Sequence, residues 1–310
     1  MELYLAPLQG LTELYFRNAF AAVYGGIDKA MAPFISIVSV KQINPERLQG
    51  IFPEANRLKP VIPQVLGNNK YDFLLLAQAI EALGYTEINW NLGCPAKDIR
   101  RKKRGSGLLP YPELIEEVLD YVIPRINARL SVKLRLGKDS ADEIFPVMEL
   151  LNRYPLTEII IHPRIAVQFY EGGLWLNKLD EVIPEINHRF VFNGDVNSVE
   201  IYRDITKRYP TAQGVMLGRG LLMNPALAEE IKTGEISPIH ERQARFFHFY
   251  DHLLSELLTH YSTPQNMLNK LKEYWIYFQY QFPEIPDLFN TLKRLQDVND
   301  FRRVIEELRS

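Results

Sequence analysis

The chain has 310 residues, 46% of them hydrophobic and 24% charged, with a formal net charge of -2. That length exceeds what one core of ordinary size encloses, so one large domain plus a small one is expected. The near-neutral balance excludes a protein that grips polyanions over its whole surface, and a single cysteine, Cys94, excludes a disulfide framework or a cysteine-rich zinc site.

In chain order, short β-prone runs alternate with helical patterns. Candidate strands fall near 2–6, 28–33, 60–66, 86–91, 130–135, 157–162, 189–193 and 213–218. Helices are expected between them at 12–24, 70–83, 111–126, 141–153, 175–186 and 198–208, with Asp72 and Ser198 as starts. Glu158-Ile159-Ile160-Ile161 and Arg189-Phe190-Val191-Phe192 are too uniformly apolar for half-exposed strands and suit a parallel sheet covered on both faces. Eight such units predict an α/β protein of the (β/α)8 TIM-barrel class.

After Ser237-Pro238 the strand signal ends. Amphipathic stretches near 240–261, 264–282, 287–296 and 299–308 follow, with Phe246, Phe249, Leu253 and Leu257 at helical spacing. They predict a small all-helical C-terminal domain, dividing the chain into residues 1–237 and 238–310. The N-terminus shows no basic region leading into an apolar run, and no apolar stretch of about 18 residues occurs, so a soluble cytoplasmic protein without a membrane partner is expected.

The strand ends carry the chemistry. Pro7-Leu8-Gln9-Gly10, Gln64, Asn91 with Cys94, Lys133 with Arg135, His162 with Arg164, Asn193-Gly194-Asp195 and Gly218-Arg219-Gly220 each lie at or just past the C-terminal end of a candidate strand. A barrel gathers those ends on its active face. Any one of them has an ordinary explanation, since polar residues cap strands and glycines make turns, but seven in one register argue for a site. The loops after the last two strands form the usual phosphate site of such barrels, which implies a phosphorylated ligand or cofactor. Lys133 brings a cation to the middle of the pocket, where it stabilises negative charge on a bound ring unless a carboxylate claims it.

Cys94 sits between Gly93 and Pro95, ahead of Lys97 and the run Arg100-Arg101-Lys102-Lys103-Arg104. That placement suits thiol chemistry on a shaped loop, against the alternative of a buried small hydrophobe; the charge run reads as a solvated, mobile loop. The strand ends offer no carboxylate pair, one histidine and no metal cluster. No metal is expected, and redox chemistry carried by a flavin is favoured.

Taken together, Ala6-Pro7-Leu8-Gln9-Gly10, Gln64, Asn91-Leu92-Gly93-Cys94-Pro95-Ala96-Lys97, Gly105-Ser106-Gly107-Leu108-Leu109, Val132-Lys133-Leu134-Arg135, His162-Pro163-Arg164 with Gln168, Tyr170 and Gly172, Asn193-Gly194-Asp195 and Gly218-Arg219-Gly220 resemble the tRNA-dihydrouridine synthases. These flavoenzymes reduce a uridine in tRNA, and the likeness runs through both expected domains. The resemblance implies bound FMN, reduced by NADPH or NADH. It implies that Pro7 and Leu8 support the flavin ring, that Gln64, Lys133 and His162 meet its polar edge or ribityl chain, and that Asn193, Gly194, Asp195, Gly218 and Arg219 surround the phosphate. Hydride then goes to C6 of the uracil and Cys94 delivers a proton to C5. Asn91 orients the base with help from Arg164, while Lys97, Arg100 and Arg101 meet RNA phosphates and the helical domain holds the tRNA body. The expected protein acts as a monomer.

This chain departs from the family pattern at Ile165 and Ala166, where a hydroxyl residue and a base are common, at Pro163, and at Gly107, where alanine is frequent. Two other readings stand beside the synthase. One is an FMN-dependent barrel oxidoreductase acting on another RNA or on a small pyrimidine or enoate, and the other is a noncatalytic RNA-binding paralogue.

Overall fold

Eight parallel strands close on themselves in the computed structural model, which describes residues 1–36 and 42–309. They are β1 (Glu2–Leu5), β2 (Lys29–Met31), β3 (Val61–Ile62 and Gln64–Val65), β4 (Glu87–Leu92), β5 (Arg129–Gly137), β6 (Glu158–Ile165), β7 (Arg189–Asn193) and β8 (Gly214–Leu217). Strand β3 is the one predicted run that breaks, because Pro63 has no N–H for the ladder. Its first piece pairs with β2 and its second with β4, so the seam of the barrel passes through this proline. The Pro63 carbonyl still serves, accepting from the Asn89 amide at 2.9 Å.

The strands are apolar on both faces for a reason visible in the packing. Tyr4, Met31, Ile62, Ile160, Val191 and Met216 point inward and form one buried cluster inside the barrel. Their neighbours Leu3, Leu5, Ile159, Ile161 and Phe192 point outward and meet the helices in a second, much larger cluster. Part of the interior is polar instead. Register sets Gln64, Asn89 and Ser131 side by side on β3, β4 and β5, and Asn91 beside Lys133 one layer higher.

Outside the barrel lie α1 (Leu14–Val23), α2 (Lys70–Ala82), α3 (Lys97–Arg101), α4 (Pro112–Val122), α5 (Ile144–Leu151), α6 (Leu176–Val182), α7 (Val199–Arg208), α8 (Arg219–Met223) and α9 (Leu227–Thr233). Ser198 caps α7 as expected. Helix α2 is capped by Asn69, whose side chain accepts from the amides of Tyr71 and Asp72, so Asp72 stands in the first turn and not at the cap. The basic run is exposed from Arg101 to Lys103, as a solvated run requires, but its first two residues close helix α3 and the Gly105–Leu108 turn that follows it is buried.

Helices α10 (Ile239–His260), α11 (Pro264–Phe278), α12 (Leu288–Arg294) and α13 (Val298–Glu307) complete the chain. They share the large outer core with the barrel, most densely where Phe16 of α1 lies 5.5 Å from Phe249 and 5.9 Å from Tyr274, ring centre to ring centre. Two hydrogen bonds tie α11 to the loop after β1: Lys270 Nζ donates to the Gly10 carbonyl at 2.9 Å, and the Tyr274 hydroxyl to the Leu11 carbonyl at 2.7 Å. None of the helices in the described residues is long and apolar enough to cross a membrane.

The end of the barrel opposite the strand C-termini is plugged by Tyr4, whose hydroxyl donates to buried Glu158 at 2.8 Å. Burial pushes the Glu158 carboxyl up despite that donor. A raised carboxyl favours the fold most at low pH, and the benefit is lost as pH rises through the raised value. Tyr4→Phe removes the hydroxyl that steadies the ionised form. It is expected to cost about 1–3 kcal/mol at pH 7 and less at pH 5, as measured by urea denaturation at both values.

Candidate active site

The C-terminal strand ends surround a cavity of about 330 Å³. Of the residues singled out from the sequence, Pro7, Leu8, Asn91, Cys94, Lys133, His162, Asn193, Gly194, Asp195, Gly218 and Arg219 line it. Each comes from a strand end or from the loop after it, as the barrel geometry dictates.

Cys94 owes its place to a relay of side-chain hydrogen bonds inside the barrel. Ser131 Oγ donates to the Ile88 carbonyl at 3.4 Å and accepts from Asn89 Nδ2 at 2.9 Å. Asn89 Oδ1 accepts from Gln64 Nε2, and Gln64 Oε1 from Asn91 Nδ2, both at 2.8 Å. Asn91 Oδ1 then accepts the backbone amides of Gly93 at 3.0 Å and Cys94 at 2.8 Å. From the other side Ser106 Oγ donates to the Cys94 carbonyl at 2.7 Å. Gly105, at φ +53, packs so near that a Cβ there would meet Cys94 Cβ at 2.9 Å. Gly107 has a physical reason as well, since a Cβ would lie 2.4 Å from the Arg100 carbonyl.

The thiol is half-buried, and burial raises its pKa against the opposing Ala96 amide and the cations Arg135 and Lys133. It is therefore a thiol and not a thiolate at neutral pH. Lys133 is pushed down to about 7, first by burial and then by Arg135. Among the described residues no carboxylate pairs with it, which removes the ion-pair alternative. His162 is buried and held well below its usual value by burial and by the surrounding arginines and lysine, so it is neutral. Arg164 donates to its Nε2 at 3.2 Å; a guanidinium only donates, so the ring proton is on Nδ1.

Among the described residues, Asp195 is the one carboxylate on the cavity wall. Burial alone would raise it, but ion pairs with Arg164 and Arg219 prevail and hold it below the ordinary carboxylate range. With Lys133, Arg135 and Arg219 also lining the cavity, its net charge is positive, which suits an anionic ligand.

Five sequence candidates lie outside the wall. Gln64 is fully buried, its amide spent on Asn89 and Asn91, so it supports the wall from below. Arg164 is buried behind Asp195 and reaches it with both terminal nitrogens. Lys97, Arg100 and Arg101 sit on α3, where Arg101 pairs with Asp98 at 3.3 Å and Arg100 Nε donates to the Pro95 carbonyl at 2.9 Å. Arg135, which the strand-end pattern marks, and Tyr170, which belongs to the family motif, also line the cavity, together with Phe34, Asn197 and Met223, which the sequence reading does not single out. Phe34 follows the end of β2, the same signal that found the others.

The family model for dihydrouridine synthase (Dus) matches residues 4–308. The chain belongs to the dihydrouridine synthase family. Among curated relatives of this Dus chain, the tRNA-dihydrouridine(16) synthase of Neisseria meningitidis serogroup B is 27% identical over 98% of this chain and 93% of its own length. That of Pseudomonas syringae pv. tomato is 28% identical over 96% of each. A solved structure of the old yellow enzyme homologue from Zymomonas mobilis superposes with a TM-score of 0.55 at 11% identity, covering 76% of this chain and 90% of that one, and shares the barrel fold.

The unpaired lysine makes anion binding pH-dependent. In the ligand-free Dus protein, affinity for a phosphorylated ring ligand is expected to fall as pH rises through about 7, where Lys133 loses its proton. Lys133→Met should weaken binding and flatten that dependence, as read by fluorescence titration between pH 6 and 8.

Proposed function

We propose that this protein is a flavin-dependent oxidoreductase that reduces uridine to 5,6-dihydrouridine in tRNA, at the position 16 named in its curated relatives. The observation that carries the reading is a protonated, half-buried thiol fixed on Asn91 at the wall of a cationic strand-end cavity, in a chain that matches the Dus model almost end to end.

FMN, reduced by NADPH or NADH, would supply the hydride for C6 of the uracil. The residues present fit that cofactor. Ala6, Pro7, Leu8 and Met223 would offer apolar surface to a flat ring, Lys133 and His162 would meet its polar edge, and Asn193, Gly194, Asp195, Gly218 and Arg219, which line the same cavity, would hold the phosphate end. Asp195 does not repel the phosphate, because Arg164 and Arg219 already balance its charge.

Cys94 gives its proton to C5 from the opposite face, a role that needs a thiol still protonated near neutral pH. Asn91 donates one amide hydrogen to Gln64 and keeps the other for a uracil carbonyl. Gln64 acts through Asn91, and Arg164 through His162 and Asp195. Lys97, Arg100 and Arg101 meet phosphates at the rim, where a base turned out of its stack needs compensating contacts. The helical region from 238 to 310 holds the body of the tRNA, and a single chain acts alone in the reducing cytoplasm.

The test is reaction of the FMN-loaded protein and NADPH with tRNA from cells lacking its gene, followed by mapping of dihydrouridine. Reduction at position 16 is expected, and unchanged uridine overturns the proposal. Cys94→Ala should retain flavin but lose at least about 100-fold in turnover, the scale of a missing general acid.

A further inference from the structure

Phe169 occupies an uncomfortable backbone. Its φ is +52, a conformation that L side chains rarely adopt and that glycine takes freely. Burial does not compensate for the strain, because the residue is 41% exposed. Its ring instead carries the Arg100 guanidinium 5.4 Å from the centroid, and Arg100 is tied to the cysteine loop through the Pro95 carbonyl. The next residue, Tyr170, is 44% exposed and lines the cavity, with Arg135 and Arg219 at 5.2 and 4.9 Å from its ring centre. Two adjacent rings thus stand at the rim. Tyr170 lines the pocket, and Phe169 lies outside it against Arg100 of α3, a helix whose Lys97 and Arg101 are exposed.

A solvent-facing aromatic ring decorated with a guanidinium, one step from a pocket that takes a nucleobase, is suited to stacking a second base. When a target base leaves its stack, the face of its neighbour is uncovered. We propose that Phe169 stacks on the nucleobase adjacent to the reduced uridine and replaces the stacking lost when that uridine turns into the cavity. Arg100 covers the other face of the ring and meets the phosphate between the two nucleotides. This rests on the tRNA-reducing function proposed above.

The experiment measures tRNA affinity and melting temperature for the FMN-loaded parent, Phe169→Leu, Phe169→Gly and Phe169→Tyr. Leu and Gly should weaken binding about tenfold, the scale of one lost base–aromatic stack, while Tyr should stay within about twofold of the parent. Phe169→Gly should melt no lower than the parent, because glycine relieves the positive φ. Leucine binding as well as phenylalanine overturns the stacking role, as does tyrosine binding as weakly as leucine. A glycine variant that melts several degrees lower shows instead a ring needed for packing. A parent that neither binds nor reduces tRNA overturns the proposed function itself; an active parent with indifferent variants overturns only the stack.

Discussion

A single amide oxygen, Asn91 Oδ1, accepts two successive backbone N–H groups, and the position of the only thiol follows from it. That oxygen is aimed because the other end of the Asn91 amide donates to Gln64, which is oriented in turn by Asn89 and Ser131. Every member is buried, so a missing partner strands a polar group in a medium with no water to replace it. Such a relay has one self-consistent arrangement, and its donors polarise one another along its length. The barrel supplies the spacing, since the parallel register of β3, β4 and β5 sets the amides in line.

The electrostatics of the cavity depend on the same burial. Confinement among cations strips His162 of its proton, weakens the hold of Lys133 on its own, and would leave Asp195 unstable without two arginines. Cys94 goes the other way, its proton retained because the nearby cations offset only part of the burial. The outcome is one thiol in a cavity of net positive charge, whose one carboxylate among the described residues is already balanced.

Much of this is legible in the sequence itself. The uniformly apolar runs at Glu158–Ile161 and Arg189–Phe192 identified a sheet covered on both sides, and polar residues just beyond the strands marked the face that holds the cavity. What escaped reading depends on three-dimensional register. Gln64 looks like a ligand contact in sequence because it ends a strand, yet it points one layer below the wall and spends its amide on its neighbours. The basic run after Cys94 reads as a solvated loop by charge, and Arg101 to Lys103 are exposed, but its start is helical and Gly105, Ser106 and Gly107 after it pack against Cys94 and Arg100, which charge alone does not reveal. The strain at Phe169 has no signature in residue type at all, because it exists only as a backbone angle.

The bonds from Lys270 and Tyr274 to the loop after β1 mean that one wall of the pocket is fastened from outside the barrel. The segment carrying Pro7 and Leu8 therefore inherits its shape from the far end of the chain, some 260 residues away. The helical tail is therefore not packed as a free-standing module: a foreign tail that seats α11 differently loses the two bonds that hold the loop behind Pro7 and Leu8.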